Sequence, residues 1–115
     1  KELEVSLTLR IRSGYHINSS RPAEDYLIPT ELNWDSVTLP LASVDYPTGE
    51  HITYSFSDKP LSVYSDKVRI VSTFHAPATL QSSSKAIIGS LRYQACNEKT
   101  CFPPKTIAVT VPLLY

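Results

Sequence analysis

Two cysteines, Cys96 and Cys101, are the only sulfur-bearing residues in the chain, and both fall in the stretch "YQACNEKTCFPPKT" from Tyr93 to Thr106. Sulfurs this close can form a structural staple, half of a metal clip, or a working redox couple. A metal clip needs two further ligands beyond a C-x4-C pair. His16, His51 and His75 offer no paired spacing, so no metal and no other cofactor is expected. The inter-sheet bridge of immunoglobulin domains is excluded too, because it joins strands far apart in sequence across a Trp. Here the cysteines are near neighbours, and Trp34 precedes both.

A plain staple and a redox couple remain. Closing so short a loop removes little unfolded-state entropy, about 2 kcal/mol by the chain-entropy relation. Cysteines flanking a four-residue hairpin loop can face one another, and only the close, non-hydrogen-bonded pairing brings their Cα atoms within bridging range. Pro103 and Pro104 follow at once and have no N–H to give to a strand partner. If Cys96 faces Cys101, Leu91 falls opposite Thr106 and Ile107 opposite Ser90, which mismatches the apolar faces. A bulge or a splayed end is therefore required, and bulges gather at sheet edges and functional sites. The sulfurs are expected on an irregular, accessible rim, which favours the redox reading.

Short strands must position this rim. The opening "ELEVSLTLRIR" alternates strictly: Leu3, Val5, Leu7, Leu9 and Ile11 on one face, charged and hydroxyl side chains on the other. After Ser13-Gly14 the chain runs into a segment whose second half, Tyr26 to Trp34, reads as a strand interrupted or edge-placed by Pro29. "SVTLPLASVDYP" gives a further strand or two, and a more polar connection covers Thr48 to Asp66. "KVRIVSTFHA" is a strand, "PATLQSSSK" a polar loop, and "AIIGSLRYQAC" with "TIAVTVPLL" forms the last pair. Seven or eight short strands separated by turn signals describe an all-β antiparallel sandwich. Frequent prolines leave no room for a long helix.

At 115 residues the chain is one domain, residues 1–115, with enough length for a hydrophobic core. Eleven basic and 11 acidic residues, not arranged in blocks, give a formal net charge of +0. That balance carries no basic footprint for nucleic acid or an anionic membrane. The apolar runs are far too short to span a bilayer. The chain starts at Lys1 and contains no Met, as an excised or mature piece of a larger protein would.

The block "LRYQACNEKTCFPPKTIAVTVPL" resembles the N-terminal periplasmic domain of the thiol:disulfide interchange protein DsbD family. Its Tyr-Gln-x-Cys…Cys-x-Pro-Pro-x-Thr pattern carries the likeness, supported by "SGYHIN" and "KPLSVYSDKVRI" in the right order. The resemblance implies an immunoglobulin-like sandwich acting as a protein-disulfide reductase domain, with Cys96 and Cys101 as the electron-carrying pair. A membrane-embedded domain of the same parent protein would reduce the pair. Periplasmic thioredoxin-like proteins serving disulfide isomerisation or cytochrome c maturation would then be reduced by it. The expected setting is the periplasm, as part of an inner-membrane protein, with the domain itself monomeric. The cysteine spacing is one residue shorter than the family's familiar form, and His16 and Asn18 stand where aromatic residues are familiar.

By the same resemblance Phe56, and more weakly Tyr54, lie in a cap loop over the sulfurs; otherwise Phe56 is an ordinary packing residue. His16 and Asn18 share a face if Tyr15 to Asn18 is extended. They are then either a polar surface pair or neighbours of the cysteines, and Pro103 completes the surroundings. The alternative of another class is a non-catalytic sandwich that binds a protein partner and carries a stapled hairpin.

Overall fold

A computed structural model describes residues 2–35, 39–75 and 86–113. Ten strands lie among them and no helix. They are β1 (Glu2–Arg10), β2 (His16–Asn18), β3 (Glu31–Trp34), β4 (Leu41–Asp45), β5 (Glu50–Ile52), β6 (Leu61–Tyr64), β7 (Lys67–His75), β8 (Ala86–Tyr93), β9 (Ala95–Cys96) and β10 (Lys105–Pro112). All pairings are antiparallel. The fold is an immunoglobulin-like β-sandwich.

The alternation of β1 is realised. In its register with β7, Leu3 sits opposite Phe74, Val5 opposite Ser72 and Leu7 opposite Ile70, so one face of the pair is apolar apart from Ser72. With β4 on the far side of β7, these strands form one layer. The second layer orders β10, β8 and β3, with Leu91 between Ile107 and Leu32. The two inner faces meet in a core around Leu32, Ile70 and Leu91, and again around Leu39, Phe74 and Ile87. Gly89 opposes Trp34, and a Cβ at Gly89 would lie 2.6 Å from both the Asn33 carbonyl oxygen and the Trp34 ring. Glycine thus lets the indole lie across β8, edge-on to Phe74 at 5.5 Å. There its Nε1–H donates to the buried Ser72 hydroxyl at 2.7 Å, which pins one layer to the other.

A third sheet orders β5, β6, β2 and β9, with its own small core of Leu27, Leu61 and Val63. The chain enters β2 through a turn in which Tyr15 N–H donates to Arg12 C=O. Gly14 takes φ 86° at the turn's third position, a left-handed value that costs glycine least. It leaves the sandwich for β9 at Gln94, between β8 and β9, where the strand bends from one sheet into the next.

Three expectations change. The strand read over Tyr26 to Trp34 is confined to β3, because Leu27 to Thr30 fold inward as a loop: Thr30 Oγ1 donates to Asn18 C=O at 2.6 Å and Leu27 is buried. Pro29 does not interrupt a strand; it precedes one. The strand count exceeds seven or eight because β2, β5 and β9 are too short to show a period, and because the stretch read as a polar connection, Thr48 to Asp66, holds β5 and the buried β6. The loop expected over "PATLQSSSK" (77–85) lies outside the described residues, as does part of "SVTLPLASVDYP" (36–38).

Candidate redox site

Cys96 and Cys101 are bonded, with Cα atoms 4.0 Å apart. Two backbone hydrogen bonds bracket them, Asn97 N–H to Thr100 C=O and Phe102 N–H to Ala95 C=O, both 2.9 Å. The cysteines therefore occupy the close, non-hydrogen-bonded pair position that the hairpin reading requires. The loop is held by Asn97, whose Oδ1 accepts from the N–H groups of Lys99 (2.8 Å) and Thr100 (2.9 Å). This is the side-chain turn chemistry that suits Asn at such a corner.

Below the hairpin the register changes. Tyr93 pairs with Lys105 and Leu91 with Ile107, whereas Ala95 bonds to Phe102. One residue, Gln94, lies between the two pairings on the first strand, and two, Pro103 and Pro104, lie on the second. The proline pair is the bulge. It absorbs the extra residue, so that Leu91 meets Ile107 while the cysteines still face each other. Both prolines are exposed.

The two sulfurs differ in access. Cys96 is fully buried on β9, paired with β2, whereas Cys101 is half-buried and belongs to no strand. Directly opposite Cys96 on β2 lies His16. Both His16 and Asn18 are buried, at 3 % and 0 % exposure, which corrects the reading of a polar surface pair. The cause is that β2 is flanked by β6 and β9 on its two edges and covered by other segments. Asn18 does not touch the sulfurs; it builds their support. Its Nδ2 donates to Ile28 C=O (2.9 Å) and to Gln94 Oε1 (3.0 Å). Gln94 Oε1 also accepts from Ile28 N–H, and Gln94 Nε2 reaches Phe102 C=O at 3.4 Å.

A segment following β5 reaches the hairpin. Tyr54 C=O accepts from Ser57 N–H at 3.0 Å, a tight turn that brings Phe56 to its tip. Ser55 Oγ donates to Glu98 C=O at 2.8 Å, tying this turn to the cysteine loop. Tyr54 stacks on the His16 ring, centroids 4.1 Å apart, and packs against the Leu27–Leu61–Val63 cluster. Phe56 stacks beside Tyr54 at 5.5 Å and stays 38 % exposed. Burial lowers the pKa of His16, so the imidazole is neutral at physiological pH. Burial first, then the carboxylates of Glu50 and Glu98, raise that of Tyr54, which stays a neutral phenol. Phe56, Tyr54 and His16 are thus brought together beside the disulfide, and Asn18 and Pro103 stand one step removed.

Three contributors were not singled out from the sequence. Gln94 stands two residues before Cys96 in the "YQAC" run and could have been found by its position. Tyr15 and Phe102, both partly exposed, approach each other at 6.2 Å across the hairpin base. Their partnership depends on β2 lying next to β9, which no local pattern announces.

Residues 1–113 match the model of the family described as "Thiol:disulfide interchange protein DsbD, N-terminal". The chain belongs to this family. Among solved structures, it is similar to the Neisseria meningitidis DsbD N-terminal domain crystallised in the reduced form. That likeness has a TM-score of 0.61 and 19% sequence identity, over 93% of this chain and 74% of that one. At such identity the likeness supports the fold, in agreement with the sandwich described above. No curated protein matches. The family and the bonded cysteine pair together point to thiol–disulfide interchange as the chemistry of this hairpin.

Proposed function

We propose that this chain is a periplasmic electron-transfer domain that takes reducing equivalents from a membrane-embedded domain of its parent protein and passes them to thioredoxin-like proteins. The Cys96–Cys101 couple carries them. The observation that supports this reading best is the asymmetric placement of the pair: one sulfur anchored and buried, the other half-exposed on a proline-disrupted rim. In the output direction, the Cys101 thiolate attacks the partner's disulfide and expels one partner sulfur as thiolate. The Cys96 thiolate then attacks Cys101 Sγ, breaks the mixed disulfide and releases the second partner thiolate. Two electrons pass to the partner, and the domain ends oxidised. No cofactor is needed. Cytochrome c maturation and disulfide isomerisation are the pathways that this chemistry would serve.

Alkylation after mild reduction tests the reading. Both thiols should become labelled in the folded protein, Cys101 before Cys96. If labelling requires denaturant, the pair is a staple, and the protein is a non-catalytic binding module.

In this scheme the turn carrying Tyr54 and Phe56 is a cap. A dithiol open to water exchanges indiscriminately, and an apolar lid limits access to partners able to displace it. Tyr54 is the root of the lid, wedged between His16 and the small core, and Phe56 is its outer edge. Phe56→Ala should therefore speed reaction of the reduced domain with a small disulfide several-fold, with the circular dichroism spectrum unchanged. A rate equal to that of the wild type would remove Phe56 from the mechanism.

A further inference from the structure

We propose that His16 is the proton acceptor for Cys96 in the resolving step of exchange. This rests on the interchange reading above and assigns a task that reading leaves open.

The register places His16 directly opposite Cys96 on the neighbouring strand, and Cys101 lies across the isolated bridge on the other side. Opposite residues in antiparallel strands share a face, with Cβ atoms about 5 Å apart. The imidazole, Cys96 and Cys101 thus form one row. The imidazole Nε2 is buried and has no hydrogen-bond partner among the described residues. Buried polar atoms are nearly always satisfied, so an orphan beside a reactive group calls for a reason. The stacked Tyr54 ring holds the imidazole plane.

The chemistry needs a base at this point. Cys96 is fully buried, so its thiol has no direct access to a base in bulk solvent. The resolving nucleophile must nonetheless be a thiolate. Burial keeps His16 neutral, so one ring nitrogen carries a free lone pair. In the mixed disulfide, the Cys96 S–H proton passes to the imidazole. The Cys96 sulfur then bonds to Cys101 Sγ, and the electron pair of the cleaved bond leaves on the partner's sulfur. The imidazolium afterwards returns its proton to solvent. When the domain is reduced by its donor, the same path runs backwards and protonates the departing Cys96 thiolate.

Among the described residues, the flanking elements supply no better base. β9 contributes Cys96 itself, and β6 contributes Tyr64, whose phenol donates to Pro47 C=O. The capping turn contributes the Tyr54 phenol, held neutral. The Glu50 and Glu98 carboxylates act on that phenol from exposed positions.

Two variants test the role against a merely structural one. His16→Phe keeps a ring to stack on Tyr54, and His16→Gln keeps hydrogen-bonding capacity; neither can take up a proton. The reduced protein is mixed with DTNB, an aromatic disulfide. Its first thionitrobenzoate release reports attack by Cys101, and its second reports resolution by Cys96. Both variants should leave the first phase unchanged and slow the second about 10²-fold at pH 7. The deficit should close as rising pH ionises the thiol directly. An unchanged second phase, or an equal loss at every pH, would overturn the proposal.

A readout free of substitutions at His16 is the imidazole NMR titration in Cys101→Ser. Its midpoint should differ between free and alkylated Cys96, and indifference to alkylation would equally overturn the role. If the reduced wild-type protein shows no second release, the interchange reading itself fails, and the His16 role with it. That result is distinct from a defect confined to the variants.

Discussion

A Cys96→Ser variant is expected to accumulate a stable mixed disulfide with a thioredoxin-like partner, and Cys101→Ser is not. Exchange passes through an intermolecular disulfide, so one cysteine must meet the partner while the other resolves the bond. Cys96 is the poorer candidate for the meeting. It is fully buried, lies on a strand paired to β2, and has the His16 ring on its own face. Cys101 is half-exposed and precedes Pro103 and Pro104, which offer no N–H to a neighbouring strand. The segment after Cys101 therefore leaves open backbone where a partner's active-site loop can lie close. Without Cys96 the bond at Cys101 has no internal nucleophile to break it, so the adduct should survive non-reducing electrophoresis. The reverse pattern would exchange the roles of the two sulfurs and leave the redox function standing.

The sequence anticipated this site unevenly. The conflict between two registers, one set by the cysteines and one by Leu91 and Ile107, was enough to demand a bulge. The structure places it at the prolines, which make no ladder bond at that point. The first strand was legible because one of its faces is covered and the other exposed, so its burial alternates residue by residue. β2 was not legible in the same way. His16, Ile17, Asn18 and Ser19 are all buried, so no alternation survives to be read. A short polar run such as "HINS" looks like surface until its partners are known, and those partners come from β6, β9 and the loop before β3. Asn18, read there as either a surface group or a neighbour of the cysteines, is fully buried and bonds the Ile28 carbonyl and Gln94. The cap reading of Phe56 comes from the family pattern, since nothing in "TYSFSDKP" distinguishes a lid from a packing residue; the structure adds its place beside Tyr54 and His16.

The second large effect is expected at Asn18. Its side chain is fully buried, and its orientation is fixed by its neighbours: Ile28 C=O can only accept, and Gln94 Oε1 already accepts from Ile28 N–H. Asn18→Ala removes both donated bonds and leaves the Ile28 carbonyl without this partner. Two lost hydrogen bonds and an unsatisfied acceptor would cost about 3 kcal/mol. Part of that is returned, because Asn18 Oδ1 is itself buried without a partner among the described residues, and alanine removes it. The net loss should be about 2 kcal/mol, read as a lower urea midpoint with an unchanged slope. Asn33→Ala is the control: among the described residues its amide bonds only to the exposed Glu31 two residues away, and its loss should stay within about 0.5 kcal/mol. The Asn18 change should also reach the redox site. Gln94, released on one side, holds Phe102 less firmly, and the hairpin base loosens where Ala95 and Phe102 pair. Alkylation of Cys96 in the folded, reduced protein should then accelerate relative to wild type. If stability falls but Cys96 stays as protected as before, Asn18 supports the sandwich alone, and the link from β2 through Gln94 to the cysteine hairpin is broken.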